Sequence, residues 1–499
     1  MYKHTSMSAW PRQPVIYEIN TWVWLSDLGR RYRRPLTLQT IPSGEWDAFS
    51  GLGIDAVWLM GIWERSPAGT RIARQLPDLK AAYRTALPDY SDTDVIGSPY
   101  SIRRYGVDEH LGGSEGLAKA RGELSRRGIR LILDFVPNHL GRDHFWIRDH
   151  PSFFIRGDES DLHQHPDDFF KANGKIFACG KDPYLPSWTD TVQLNAFNPQ
   201  MRASAIEVLR SISRQCDGVR CDMAMLMINE VFENSWGSRA GQPPVTEYWC
   251  DVISAVRQSN PDFLFLAEAY WDRERELHRQ GFDYCYDKSL YDRLVGGSAE
   301  DVRLCLQADI VYQKKLIRFL ENHDEPRAAD VFPFEKLCAA AFAVSLLPGA
   351  KLIYEGQFEG RRVRLPVQLG RRRAEKANQE AMIFYDRLMK IIQKAQLRNA
   401  EWRLCERTGW SDNESCRNII AWSWRKLEER YLAALNFSNF QSQARIPFPW
   451  LDLPKRTLQL VDLFSGAVYQ REGQELLDPG LYVDLPPWGF HFLECRIPG

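Results

Sequence analysis

Short apolar runs rich in Val, Ile, Leu and aromatic residues recur along the chain, and each is followed by a longer stretch with helical spacing of its apolar positions. The first pattern predicts strands buried on both faces and the second amphipathic helices, so their alternation predicts a parallel sheet wrapped by helices. Eight runs can be read: VIYEI at 15–19, IDAVWLM at 54–60, IRLILDFV at 129–136, CDGVRCD at 216–222, FLFLAE at 263–268, FDYCYD at 282–287, KLIRFLE at 315–321 and AKLIYEG at 350–356. Eight strand–helix units fit an α/β fold of the closed (β/α)8 TIM-barrel type, which places its chemistry at the C-terminal ends of the strands. Nearly every run here ends in polar residues.

Two regions break the alternation. Strands 3 and 4 are too far apart for one helix, and the segment after strand 3 is rich in His, Asp, Pro and aromatics without clear periodicity. It is expected to form a small excursion domain, 140–198, over the barrel mouth. The helical pattern from Asn378 to Ala395 completes the eighth unit. Beyond it, NIIAWSW, YLAALNF, TLQLVDLF, GLYVDL and GFHFLEC alternate with turn-rich stretches and predict a C-terminal antiparallel β-sandwich domain. The expected division is a barrel at 1–139 and 199–396, the excursion at 140–198 and the sandwich at 397–499.

Composition narrows the function classes. Basic and acidic side chains number 64 and 65, a formal net charge of −1, which excludes a polyanion binder driven by bulk charge. The arginines at 30, 31, 33 and 34 and at 371–373 therefore read as solvated faces, and no nucleic-acid partner is expected. The first residues, MYKHTSMSAWPRQP, hold no run of signal-peptide character, and the apolar run from Leu337 to Leu347 stops at Pro348, too short to span a bilayer. A cytoplasmic location without membrane attachment is expected. Ten cysteines without a CxxC pair fit a reducing compartment and buried thiols rather than a metal or redox motif. Seventeen tryptophans offer flat apolar faces that suit both a core and sugar rings.

The strand ends concentrate the candidate chemistry. Arg220 and Asp222 stand two residues apart at the end of strand 4 and so share a face, with the guanidinium expected to keep the carboxylate ionised, as a nucleophile requires. Glu268 ends strand 5 after four apolar residues, where desolvation should hold it protonated and able to donate to a leaving oxygen. Strand 7 ends Glu321-Asn322-His323-Asp324, in which Glu321 competes as the functional acid. Any one of these residues reads equally well as an ion pair or a loop cap. Three carboxyls brought to one barrel mouth match the needs of retaining glycoside hydrolysis, a nucleophile and an acid facing one sugar.

The segments DFVPNH (134–139), GVRCD (218–222), FLAE (265–268) and FLENHD (319–324) resemble, in order and position, the signature set of the α-amylase family. The resemblance covers essentially the whole chain. It implies Asp222 as nucleophile, Glu268 as general acid and base, Asp324 as transition-state stabiliser and Arg220 as the group orienting the nucleophile. It also implies that His139 and His323 bind hydroxyls of the sugar at the cleavage point, and that Tyr100 in GSPY stacks beneath that sugar. Asp134 and Asn138 read as structural. Two departures bear on metal: Met225-Leu226 stands where many members carry a Lys-His pair, and Gln193 stands where a calcium-binding Asp is frequent. Calcium favours several oxygen ligands including carboxylates, so the structural calcium site is expected to be absent or weak, and no cofactor is expected.

The function these residues imply is retaining hydrolysis of α-glucosidic bonds, α-1,4-glucan or maltooligosaccharide, through a covalent glycosyl-Asp222 intermediate. The same machinery serves a transglycosylase or a sugar isomerase. A non-catalytic glucan-binding or anchoring protein is the remote alternative, and it is disfavoured because all three carboxyls are present. Trp22, Trp24, Trp63 and Trp146 fall on predicted loops and are candidate sugar platforms, with core packing as the competing role.

Overall fold

The computed structural model describes residues 10–496. Eight parallel strands close into a barrel: β1 (Val15–Asn20), β2 (Ala56–Met60), β3 (Arg130–Phe135), β4 (Gly218–Cys221), β5 (Leu264–Ala267), β6 (Tyr284–Tyr286), β7 (Leu316–Arg318) and β8 (Ala350–Tyr354). Each neighbours the next in sequence, and β8 pairs with β1 to seal the ring. All eight lie within or against the apolar runs read from the sequence.

Alternation along each strand sorts the side chains. Val15, Tyr17 and Ile19 of β1 point outward into a core shared with Val57 and Leu59, Leu131 and Leu133, and Val219 and Phe265. Ile16, Ala56, Trp58, Ile132, Leu264, Leu266, Tyr286, Ile317 and Leu352 fill the barrel interior. The inward series on β1 runs Ile16, Glu18, Asn20. On the other strands it runs Ile132 then Asp134, Gly218 then Arg220 and Asp222, and Leu264 and Leu266 then Glu268. An apolar plug thus fills the lower barrel and a charged layer lies at the C-terminal mouth, set by a period of two.

The segment after β3 begins with His139–Gly141, which pairs antiparallel with Thr191–Gln193, and carries a hairpin of Phe169–Ala172 with Lys175–Ala178. The last barrel helix, α1 (Gln379–Ala395), is capped by Asn378, whose Oδ1 accepts from the amides of Glu380 and Ala381.

After α1 lies a six-stranded antiparallel sheet: β9 (Glu401–Leu404), β10 (Ile419–Lys426), β11 (Glu429–Asn436), β12 (Thr457–Asp462), β13 (Val468–Glu472) and β14 (Phe490–Arg496), in the order β9-β10-β11-β14-β12-β13. A two-stranded sheet of Ser442–Ile446 with Leu481–Leu485 packs its Ala444, Ile446 and Val483 against Ile419, Leu432 and Leu493 of the larger one. The other face of the large sheet packs on the barrel helix Phe334–Leu346, where Trp422 and Trp424 donate their indole N–H groups to the Leu346 carbonyl at 3.2 and 2.8 Å. That helix contains most of the apolar run noted above and is largely buried. No helix among the described residues is long and apolar enough to cross a membrane.

Candidate active site

Arg220 organises the charged layer. Its side chain is fully enclosed, and its two terminal nitrogens donate at 2.7 Å each, Nη1 to Asp222 Oδ1 and Nη2 to Glu268 Oε2. Asp134, opposite Arg220 in the β3–β4 register, lies 3.5 Å from Nη1. Trp58, Tyr100 and Tyr286 surround the guanidinium, with ring centres at 5.3, 5.1 and 6.0 Å. One arginine therefore holds one oxygen from each of two carboxyls on adjacent strands.

The two carboxyls differ in what else they bond. Glu268 Oε2 also accepts from the Met223 amide at 2.6 Å, and Oε1 accepts from the Tyr270 hydroxyl at 2.8 Å. Met223, which donates that N–H, has a left-handed φ of 42°. Asp222 Oδ1 is held by Arg220, whereas Oδ2 has no hydrogen-bond partner among the described residues. Burial raises Glu268, the pull of Arg220 only partly offsets it, and Asp222 and Asp324 add to the rise, carrying it to about 7. Burial also raises Asp222 above the ordinary carboxylate value against the pull of Arg220. The expected arginine–aspartate pair is thus present, but it does not lower the aspartate, because enclosure outweighs one shared guanidinium.

The third carboxyl belongs to a network rooted in β1. His323 Nδ1 contacts Glu18 Oε1 at 2.5 Å, and its Nε2 faces Asp324 Oδ2 at 2.9 Å and the Tyr100 hydroxyl at 2.6 Å. Burial disfavours charge on this ring, yet the carboxylates on its two nitrogens outweigh burial and raise its pKa well above the ordinary value. Burial likewise pushes Asp324 up, and the imidazolium beside it reverses this and brings it to about 2. His323 is itself enclosed, and its Nε2 side meets Tyr100 and Asp324.

These groups face a cavity of about 410 Å³ between the barrel mouth and the segment after β3. Asp222, Glu268, Asp324, Tyr100 and His139 line it, together with Ser98, Asp182, Leu185, Trp188, Asp190, Tyr270, Trp271 and Gln368. His139 packs its ring 4.9 Å from Trp188, and burial lowers its pKa to about 3, so it is neutral. Of the seven residues singled out in the sequence, five border the cavity, while Arg220 and His323 stand directly behind them. Trp188, Tyr270 and Trp271 were not singled out. Their position follows from loop geometry rather than from periodicity, although the proximity of Tyr270 and Trp271 to Glu268 was a usable signal.

Other candidates lie elsewhere. Glu321 is buried against Arg327 Nη1 at 2.7 Å and the Ala328 amide at 2.6 Å, and does not border the cavity. None of the four candidate tryptophan platforms borders it, and the competing packing role describes them better. Trp24 packs edge-on against Trp46, Trp63 donates to the Asp134 carbonyl, Trp146 packs on Phe153, and Trp22 lies beside His110.

Gln193 makes a closed amide network with Asn138. Its Nε2 points at three oxygens, the Asn138 carbonyl at 3.0 Å, Asn138 Oδ1 at 2.8 Å and the Leu194 carbonyl at 3.0 Å. Its Oε1 accepts from Asn138 Nδ2 at 3.3 Å. Met225 and Leu226 are buried in the short turn after β4.

Comparison with known proteins places these features in context. The family model described as the alpha amylase catalytic domain matches residues 45–282. Alpha-amylase MalA of Haloarcula japonica is 23% identical over 374 residues, 71% of this chain and 45% of MalA. Alpha-amylase 3 of Dictyoglomus thermophilum is 22% identical over 330 residues, 62% of this chain and 58% of that protein. The match thus spans about half the length of these relatives. Among solved structures, the maltogenic alpha-amylase AmyB from Thermotoga neapolitana superposes with a TM-score of 0.66 at 18% identity, covering 98% of this chain and 99% of that one, a likeness of fold.

Proposed function

The chain belongs to the α-amylase family, and from that premise we propose that it is a retaining glycosidase of α-linked glucosyl units, acting on α-1,4-glucan or maltooligosaccharides. The observation that carries this reading is the Arg220 fork, which holds Glu268 and one oxygen of Asp222 while leaving Asp222 Oδ2 unbonded beside the cavity. In the first step Oδ2 attacks the anomeric carbon, the bond to the leaving oxygen breaks, and the Glu268 proton passes to that oxygen. Oε2 already accepts two N–H donors, so the proton that Glu268 delivers is assigned to Oε1, the oxygen that the Tyr270 hydroxyl touches at 2.8 Å. In the second step Glu268 takes a proton from water or a sugar hydroxyl, whose oxygen displaces Asp222. Asp324, anionic beside the His323 imidazolium, faces the positive charge that develops on the sugar ring.

His139 and Tyr100 supply the walls for the reacting sugar, a neutral imidazole and a phenol ring. Glu18 and His323 position Asp324 and Tyr100 from behind. The test is to incubate the protein with maltose, a maltooligosaccharide series, sucrose and trehalose and resolve the products by size. Shorter products from the series support the glycosidase reading, longer ones assign transfer instead, and unchanged mass with a new disaccharide assigns isomerisation.

The Gln193 network argues against a resident calcium ion in the position implied by the family resemblance. Three oxygens that could face a cation face an N–H₂ group instead, and Gln193 and Asn138 add no carboxylate. EDTA should therefore leave both activity and Tm unchanged. A Tm that falls on chelation and recovers with added calcium would contradict this.

A further inference from the structure

We propose that a hollow at the N-terminal end of the barrel, where the C-terminal sheet docks, binds a phosphate group, either free or carried by a small sugar. The hollow measures about 500 Å³ and lies at the opposite end of the strands from the catalytic cavity. Val15 opens β1 and Lys351 stands near the start of β8, Ile392 and Gln393 belong to the last turns of α1, and Trp424 and Lys426 end β10. Barrel and sheet therefore both contribute to its walls. The site is separate from the glycosidase reading and does not depend on it.

The charges that line the hollow do not balance. Four are cations, Arg127, Lys351, Arg398 and Lys426, and one is a carboxylate, Asp55. Asp55 is taken up by Arg398, which donates to both of its oxygens at 2.7 and 2.6 Å. Arg127 is answered from outside the lining, by Asp47 and Glu123. No carboxylate stands within ion-pair distance of Lys351 or Lys426 among the described residues. The Lys351 ammonium donates to the Leu347 carbonyl at 2.6 Å and to the Gly349 carbonyl at 2.5 Å, and an ammonium has a third N–H to give. Burial, with Arg318 and Arg398 nearby, holds this amine well below the ordinary lysine value, as expected of a cation without a counter-charge. A phosphate supplies that counter-charge, and its near-double charge suits two lysines better than a single carboxylate would. Gln393 and Gln396 offer amide groups to hydroxyls, while Ile54, Ile392 and Trp424 give a ring an apolar wall.

The test is titration calorimetry of the full chain with glucose 6-phosphate, inorganic phosphate and glucose, on the wild type, K351M and K426E, each checked for fold by Tm. At least one of the two phosphates should bind once per chain with a Kd below about 1 mM, and glucose should bind at least about tenfold more weakly. K351M should weaken phosphate binding by about tenfold or more, the loss of one charge-assisted contact, while kcat on maltooligosaccharides stays unchanged. K426E reverses the second unanswered charge, should do the same, and carries the test if K351M unfolds. Tighter binding of glucose 6-phosphate supports the site and assigns a sugar phosphate to it, and equal or tighter binding of inorganic phosphate supports it and assigns the free anion. Absence of binding by either phosphate up to about 10 mM, or binding unchanged in a folded K351M or K426E, would overturn the proposal and leave the glycosidase reading intact. Glucose binding as tightly as its phosphate would overturn it as well.

Discussion

Asp222→Asn is expected to lower kcat on maltooligosaccharides by about 10⁴-fold or more with little change in Tm. The asparagine keeps the shape and can still accept from Arg220 through its amide oxygen, so the Arg220–Glu268 contact and the barrel layer survive. What is lost is the oxygen that forms the bond to glucose, because an amide nitrogen directed into the cavity is no nucleophile. Binding of substrate should persist, so the loss falls on kcat rather than on KM. Near-normal turnover of an unactivated maltooligosaccharide would remove Asp222 from the role assigned to it.

Glu268→Gln should cost about 10²- to 10⁴-fold, and the loss should depend on the leaving group. Maltooligosaccharides leave as alkoxides unless protonated and should suffer most, while α-glucosyl fluoride, whose fluoride departs without a proton, should be hydrolysed much closer to the wild-type rate in the first step. The pH dependence follows from the same group. Glu268 must carry its proton to act as an acid, and burial raises it to about 7. Wild-type kcat/KM should therefore fall as pH rises through about 7, and Glu268→Gln should lose that alkaline limb because it has no proton to lose. A variant that kept the limb would assign it to another group.

How far the sequence foretold this arrangement depended on which physical signal each feature leaves. The barrel strands are legible because buried parallel strands must be short, apolar and repeated, and because the inward series on β4 and β5 changes from small or apolar residues to Arg220, Asp222 and Glu268 at the mouth. Glu18 was legible by the same rule, as the inward residue after Ile16, but a single charged residue inside a strand carries no role until His323 is seen above it. The C-terminal strands rich in apolar residues were read, whereas Glu401–Leu404, Ser442–Ile446 and Val468–Glu472 were not. In these, polar residues alternate with apolar ones on short, half-exposed strands and leave little contrast with turns.

Aromatic placement was the least legible. Trp24 and Trp63 carry the same side chain as Trp188 and Trp271, yet the former pack inside and the latter border the cavity. The distinction is made by loop paths: Trp188 by the segment that folds back to pair Thr191–Gln193 with His139–Gly141, and Trp271 by two left-handed residues. Glu321 shows the converse. One strand end brings two acids, Glu321 and Asp324, near one another in sequence, but Arg327 and the Ala328 amide draw Glu321 away and leave Asp324 at the cavity. The electrostatics also required coordinates, since the arginine beside Asp222 is shared with Glu268 and is outweighed by enclosure.

The most direct measurement is to trap the glycosyl-enzyme with 5-fluoro-α-glucosyl fluoride, digest it, and locate the added mass by peptide sequencing in a mass spectrometer. Stoichiometric labelling of the peptide containing Asp222, on that residue's side chain, is the predicted result. A label on a different carboxylate, or products of inverted anomeric configuration with no adduct formed, would contradict it.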